Sequence, residues 1–248
     1  MSLISKIKTI TGLSVYLPGR KPFTMPKNHK LYNKFEEAVK ANNVEETLDI
    51  IDLAARASKY MEGKVSIIDG EVFYGPQAVH GVIADYILSL LGEGEDATPM
   101  LKFLENIMDN PSTTSREELF LFLQANNMPI TEDGRFIAYK WVNAEMWDVH
   151  TGSTNLHEIG GVYSMERKHV NDDRRETCSS GLHVCSPGYS KFGERLLLVA
   201  VNPAHVVSVP YDYNNSKMRV EQYQVIEEVE PDTYGNHDGA TVYRSKAA

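Results

Sequence analysis

The densest run of side chains able to do chemistry is Val170–Ser186, which reads Val-Asn-Asp-Asp-Arg-Arg-Glu-Thr-Cys-Ser-Ser-Gly-Leu-His-Val-Cys-Ser. His183 and Cys185 stand two apart, so on a strand they share one face while Leu182 and Val184 take the other. With His169 and Cys178 close by in sequence, they form a thiolate and imidazole set of the kind zinc uses. The spacing Cys-x4-His-x-Cys lacks the paired Cys-x2-Cys knuckles of strong zinc signals, so these four are weak ligand candidates and no metal is expected. A cysteine nucleophile needs a histidine within reach and a depressed thiol pKa. Same-face neighbours on a strand rarely meet end to end, and a packed face is the favoured reading.

Other chemistry is thinly marked. The sequence contains no Gly-x-Gly-x-x-Gly, no Walker loop, no His-Glu-x-x-His and no Gly-x-Ser-x-Gly, which removes the common phosphate-cradle, zincin and serine-hydrolase signatures. His80, His150 and His157 have no partner that spacing assigns. Stripes such as Leu101, Leu104 and Met108, or Phe120, Phe122 and Leu123, are helix cores far more often than ligand sites. No catalytic residue and no cofactor is expected.

Composition bounds the class. The 248 residues carry 42% hydrophobic and 24% charged side chains, the balance of a globular chain long enough to bury a core without disulfide or metal. Two cysteines are too few for a disulfide framework, and a reducing cytosol fits best. Lys6 and Lys8 interrupt any leader-like apolar run, and Asn202, Pro203, His205 and Pro210 break the longest uncharged stretch, so neither a signal peptide nor a spanning helix is expected. The net charge of −9 is unevenly spread: residues 1–30 hold six Lys/Arg and no Asp/Glu, whereas residues 31–134 hold seven against nineteen. An acidic middle repels phosphate backbones and argues against a dedicated nucleic-acid binder. The basic arm could meet an acidic partner, an anionic lipid surface or the acidic middle of its own chain.

The elements that must position these residues follow from periodicity. Gly12, Pro18, Gly19, Pro22 and Pro26 favour extended segments over helix in residues 1–30. A first helix starts near Leu31, and Asn43-Val-Glu-Glu46 is a reciprocal cap for a second that reaches about Tyr60. Lys64–Tyr74 is a hairpin turning at Asp69-Gly70. Pro76–Leu91 reads as a helix stopped by Gly92, Thr98-Pro99 opens another, and Thr114 and Ser115 open a third. Beyond Asn127 the period shortens: Arg135–Val142, Gly161–Met165, Leu182–Cys185, Leu196–Val201, Val206–Val209 and Val220–Val229 read as strands. The expected class is α+β, with an N-terminal mainly helical section carrying one hairpin and a C-terminal mainly antiparallel or mixed sheet with short helices. The expected boundaries are an extended basic arm at 1–30, a helical section at 31–127 with its hairpin at 64–74, a β-rich domain at 128–230 and a mobile tail at 231–248.

Several strings are familiar. Ile130-Thr-Glu-Asp-Gly134, Ala138-Tyr-Lys140, Val170-Asn-Asp-Asp173, Thr177-Cys178, Gly181-Leu-His-Val-Cys-Ser186, Val206-Val-Ser-Val-Pro210, Asp212-Tyr-Asn214, Lys217-Met-Arg219 and Gln222-Tyr223 resemble the rapid-lysis RIIB proteins of T-even bacteriophages. A weaker likeness continues upstream through Gly70–Tyr74, Phe103–Asn106, Asn110-Pro-Ser112 and Phe122-Leu, so the resemblance covers about residues 12 to 230. It implies a phage-encoded accessory protein made in an infected bacterium. That protein works with a larger RIIA-like partner or a host defence component in lysis timing or escape from prophage-encoded exclusion. The implied place is the host cytoplasm, peripheral to the inner membrane through the partner. The helix-turn-helix-like N-terminal extension of the T-even proteins is expected to be lacking, and no catalytic residue carries over.

A looser likeness concerns layout alone. Tyr139-Lys140, then Gly181–Ser186 followed by Pro187-Gly-Tyr-Ser-Lys-Phe192, then Val220–Val225, is similar to the split-strand order of ADP-ribosyltransferase-like folds. That likeness implies a nucleotide site at Tyr139, Lys140, His183, Cys185, Tyr189 and Glu221, with Glu221 or Gln222 at the place of the catalytic glutamate and Lys140 at that of an Arg or His. A degenerate nucleotide-binding protein or enzyme is therefore the alternative to an interaction protein, and a small zinc-binding module is the third reading.

Overall fold

The computed structural model describes residues 5–52, 57, 64–68, 71–149, 154–176, 178–187, 189, 193–210 and 217–230. The Asp69-Gly70 turn and the 231–248 tail lie outside these, whereas the second helix, expected to reach about Tyr60, ends at Ile51 because Asp52 leaves the helix in an extended conformation. The chain is an α+β protein of two compact units, residues 1–101 and 102–248.

Unit 1 begins with a three-stranded antiparallel sheet, β1 (Ser5–Lys8), β2 (Gly12–Tyr16) and β3 (Phe23–Pro26). The prolines and glycines exclude helix here, but alternation along Leu13, Val15 and Met25 gives the sheet a buried face. Helices α1 (Tyr32–Lys40) and α2 (Val44–Ile51) cover it, placing Tyr32, Phe35, Val39 and Ile50 in the same core. The basic segment meets the acidic stretch of its own chain. Lys8 pairs with Glu36, and Lys40 pairs with it at 2.6 Å; together they hold the Glu36 carboxyl down at about 2. Asn43 caps α2 as expected, accepting from the Glu46 N–H at 3.1 Å while its own amide reaches the Glu46 carboxylate.

The hairpin is longer than expected. Strands β4 (Val65–Ile68) and β5 (Glu71–Tyr74) are joined by β6 (Gln77–Val79), so residues expected to start a helix pair with β5 instead, Val79 opposite Val72. Helix α3 (Val82–Glu93) starts only after this strand. It passes through Gly92 and ends at Gly94, whose φ of +74° supplies the left-handed cap. The division between units falls within α4 (Thr98–Met108), where the Asp96 carboxylate accepts from the Thr98 N–H.

Unit 2 adds α5 (Thr113–Ala125), capped by Ser112, whose hydroxyl accepts from the Ser115 N–H at 3.2 Å. Thr114 and Ser115 lie inside the first turn and are not its caps. The unit's sheet has seven strands in the order β11-β12-β9-β7-β10-β13-β8. They are β7 (Phe136–Val142), β8 (Val162–Ser164), β9 (Leu182–Cys185), β10 (Arg195–Val201), β11 (Val206–Ser208), β12 (Lys217–Val220) and β13 (Gln222–Val229). Every pairing in it is antiparallel. The run expected as one strand from Val220 is interrupted at Glu221, which separates β12 from β13. β7 and β10 are apolar on both faces, with all seven residues of β7 buried, including Lys140. One face is built on Ile137, Tyr139, Trp141, Leu196, Leu198 and Cys185.

Candidate functional site

A lysine inside an otherwise apolar strand needs an anion, because an unpaired buried ammonium costs several kcal/mol. Lys140 finds one in Asp148, which follows β7 by a short turn and returns to bridge Val142. The Lys140 Nζ lies 2.7 Å from Asp148 Oδ2, with the two side chains only 5% and 10% exposed. It also donates to the His183 carbonyl at 3.3 Å and stands 5.7 Å from the Tyr223 ring centroid.

The chain of contacts continues through Tyr223. The Tyr223 hydroxyl and His157 Nε2 are 2.6 Å apart, and His157 Nδ1 lies 3.1 Å from the Met146 carbonyl. A carbonyl only accepts, so Nδ1 carries the proton and Nε2 accepts from the phenol. The electrostatics agree. Burial and then the Lys140 charge push the His157 imidazole below its ordinary pKa, and burial pushes the Tyr223 phenol far up, keeping both neutral. Tyr163 stacks on both rings, at 4.4 Å from His157 and 5.7 Å from Tyr223.

Beside Lys140 the sheet parts. β7 and β9 share the single register pair Tyr139 and Cys185, against seven positions between β7 and β10. The gap opens as a cleft of about 360 Å³, open solvent included, lined by Tyr139, Lys140, Trp141, Asp148, His183, Cys185, Tyr189 and Lys217 among others. Five of the six residues that sequence reading grouped, Tyr139, Lys140, His183, Cys185 and Tyr189, thus line one cleft. Glu221 does not. It sits at the break between β12 and β13, with its carboxylate 2.8 Å from His205 Nδ1 and 3.6 Å from Arg167. Glu221, one of the two residues at the place of the catalytic glutamate in a transferase-like layout, therefore lies outside the cleft, and the Lys140 ammonium within it is held by Asp148.

Among the described residues no three His, Cys, Asp or Glu side chains converge to hold a metal ion. The Cys185 thiol is buried and donates to the Tyr139 carbonyl at 3.3 Å, whereas Cys178 is exposed and receives the Lys217 ammonium at 3.3 Å. His169 lies exposed in a 3-10 turn, Arg167–His169.

The acidic and basic cluster from 171 to 176 serves the fold. Arg219, a cation on β12 only 3% exposed, donates to the carbonyls of Asn171 at 2.7 Å and Asp173 at 2.6 Å, to that of Glu176, and to Ser208 Oγ at 3.0 Å. The loop is thereby wrapped around one guanidinium. Gly181 closes it with φ +144°, and a Cβ there would stand 2.8 Å from the Val170 side chain. A second knot ties helix to sheet: buried Asn110 donates to the Pro203 and Val206 carbonyls at 2.8 Å and accepts from Arg167 at 3.1 Å.

A family model described as bacteriophage T4 protein rIIB matches residues 5–238. The chain belongs to the rIIB family. Protein rIIB of Enterobacteria phage T4 is 38% identical to it over 221 residues, which is 88% of this chain and 70% of the T4 protein. No solved structure matches. The matched span of this rIIB-family chain includes Lys140, Asp148, Arg219 and Asn110, so the buried polar knots lie within what the family model describes.

Sequence reading missed Asp148, His157 as a partner, Tyr223 and Arg219. A signal existed for two of the knots: Lys140 and Arg219 each stand in a strand-like run of apolar neighbours, Ala-Tyr-Lys-Trp-Val and Lys-Met-Arg-Val. A cation so placed demands a buried acceptor set.

Proposed function

We propose that this chain is a phage accessory protein that acts by binding other proteins, an RIIA-like phage protein or a host defence component, in lysis timing or escape from exclusion. Its place of action on this reading is the host cytoplasm, at the inner membrane when the partner is there. One observation carries the proposal: the side chains best equipped for chemistry are engaged with one another or with the backbone. Lys140 is held by Asp148, Cys185 by a carbonyl, Arg219 by its loop and Glu221 by His205 and Arg167. The helices of each unit also present exposed carboxylates, Glu37 and Glu45 in the first and Glu117 in the second, which favour partners carrying positive charge.

Co-purification from infected cells tests this. Cys185→Ala and Glu221→Ala should keep the partners, while joint Glu37→Lys, Glu45→Lys and Glu117→Lys should lose them. Partners that stay bound after charge reversal refute these helical carboxylates as their seat.

A second reading rests on the cleft. Lys217 lies 5.8 Å over the Tyr189 ring, beside Trp141, an aromatic and cationic pairing that suits a nucleotide. A thermal-shift panel of nicotinamide and cyclic nucleotides decides it; a flat profile removes the reading.

A further inference from the structure

Four of the large apolar side chains left exposed in the described residues fall around one sheet edge: Leu156 at 43%, Ile159 at 55%, Val162 at 58% and Ile226 at 37%. Backbone bonds make them neighbours, because Gly160 donates to the Val225 carbonyl and Val225 donates to that of Gly161, both at 2.9 Å. Among the described residues β8 ends the seven-stranded order, with β13 on one side only. Its bonds to β13 run through Gly161, Tyr163 and Met165, the last donating to the Glu221 carbonyl at 2.8 Å. Antiparallel geometry then turns the N–H and C=O groups of Val162 and Ser164 outward. A strand that is apolar, short and open along one side is a ready template for another strand.

Charge selects the occupant. Residues 154–166 and 222–230 contain Glu158, Glu166, Glu227, Glu228 and Glu230 and no Lys or Arg. Two of these are neutralised by neighbours, Glu228 by Arg195 and Glu166 by Lys168. Glu158 and Glu227 are exposed and have no ion pair among the described residues. A second copy pairing edge to edge would bring two such acidic rims together, which is unfavourable. We infer that β8 is the seat of an extended segment from a partner protein, one that alternates apolar side chains with Lys or Arg. The segment adds an eighth strand through Val162 and Ser164, lays its apolar residues on Leu156, Ile159 and Val162, and sets its cations against Glu158 and Glu227. This inference rests on the protein-binding reading above and locates its surface.

Fluorescence anisotropy with a labelled peptide alternating valine and lysine tests it on the full chain. Binding is expected, weaker by about tenfold for the valine and glutamate analogue and weakened further by salt. Val162→Pro removes the outward N–H while leaving the bonds of Gly161 and Tyr163 to β13, and should cost about tenfold in affinity. Glu158→Lys with Glu227→Lys leaves the backbone intact and should cost as much, so the test stands even where the proline variant melts early. Equal binding of the two peptides, or no loss in the glutamate variant, overturns the inference. So does a concentration-dependent dimer that Val162→Pro abolishes, or tighter peptide binding after removal of residues 231–248. Partner capture from infected cells that survives both variants overturns the seat and leaves the protein-binding reading standing; a wild-type chain that captures nothing ends that reading instead.

Discussion

Replacing Lys140 by methionine removes the ammonium and keeps most of the side-chain volume, leaving the Asp148 carboxylate in a site where it is 10% exposed. At the observed 2.7 Å contact, attraction at an effective dielectric of ~20 is roughly 6 kcal/mol, much of it offset by the desolvation of both groups. The intact pair therefore contributes little net stability, whereas breaking it exposes the full cost of the orphaned charge, about 3–5 kcal/mol. Asp148→Asn should cost a similar amount by stranding the ammonium, although the His183 carbonyl at 3.3 Å still accepts from it. The double variant Lys140→Met, Asp148→Asn should lose far less than the two singles together, a coupling of about 2 kcal/mol or more. Urea unfolding followed by tryptophan emission is the assay, because the two tryptophans of the chain, Trp141 and Trp147, adjoin Lys140 and Asp148 in sequence. A single-variant loss below about 1 kcal/mol, or a double variant whose loss equals the sum, would refute mutual neutralisation as the reason these charges are buried.

Two further outcomes follow from the same physics. Arg219→Lys keeps the charge but loses the fork that reaches Asn171, Asp173 and Ser208, so the 171–176 loop should become a protease target in limited digestion with mass-spectrometric mapping, at a cost of about 2–4 kcal/mol; a loop as resistant as wild type sinks the hub assignment. Burial and Lys140 hold the His157 imidazole below its ordinary value, so on acidification the unfolded chain takes up a proton near pH ~6.5 that the folded chain refuses. Stability is thus full above that pH and falls as pH drops toward the depressed folded value. His157→Gln should flatten the part of the decline due to this group in urea midpoints between about pH 7.5 and pH 5, and equal slopes in the two proteins would refute it.

What the sequence made legible was local. Runs of β-forming apolar residues placed β7, β9 and β10 almost to the residue, since strands buried on both faces are near-continuous apolar runs. The Asn43 cap was readable because its partner Glu46 lies three residues on. Gln77–Val79 was misread as helix because its strand character comes from pairing with Val72 and Phe73, a tertiary term that outweighs propensity in a three-residue segment. Gly92 was misread as a stop because a glycine within a helix and a glycine at its end look alike until the positive φ of Gly94 is known.

The site was half legible for a related reason. Register on neighbouring strands brings Tyr139 opposite Cys185, and with it His183 and Tyr189 into one cleft, so grouping residues by strand face succeeded where the strands are adjacent. Glu221 failed the same test because a break in the backbone, not a continuous strand, turns its side chain to His205 and Arg167. The buried cations carry the more general lesson. Lys140 and Arg219 announce by their apolar neighbours that each must be answered, but the answers come from Asp148 across a turn and from the carbonyls of a loop some forty-odd residues away. Backbone carbonyls have no sequence signature at all. A cluster such as Asn-Asp-Asp-Arg-Arg-Glu therefore looks like a reactive site until its main chain is seen to face one guanidinium, and its side-chain charges then become loop braces, as in the Arg175 pairing with Asp173 at 2.7 Å. The side chains whose types suggest chemistry, Lys140, Arg219 and Glu221 among them, are drawn instead into contacts that hold the sheet and its loops together.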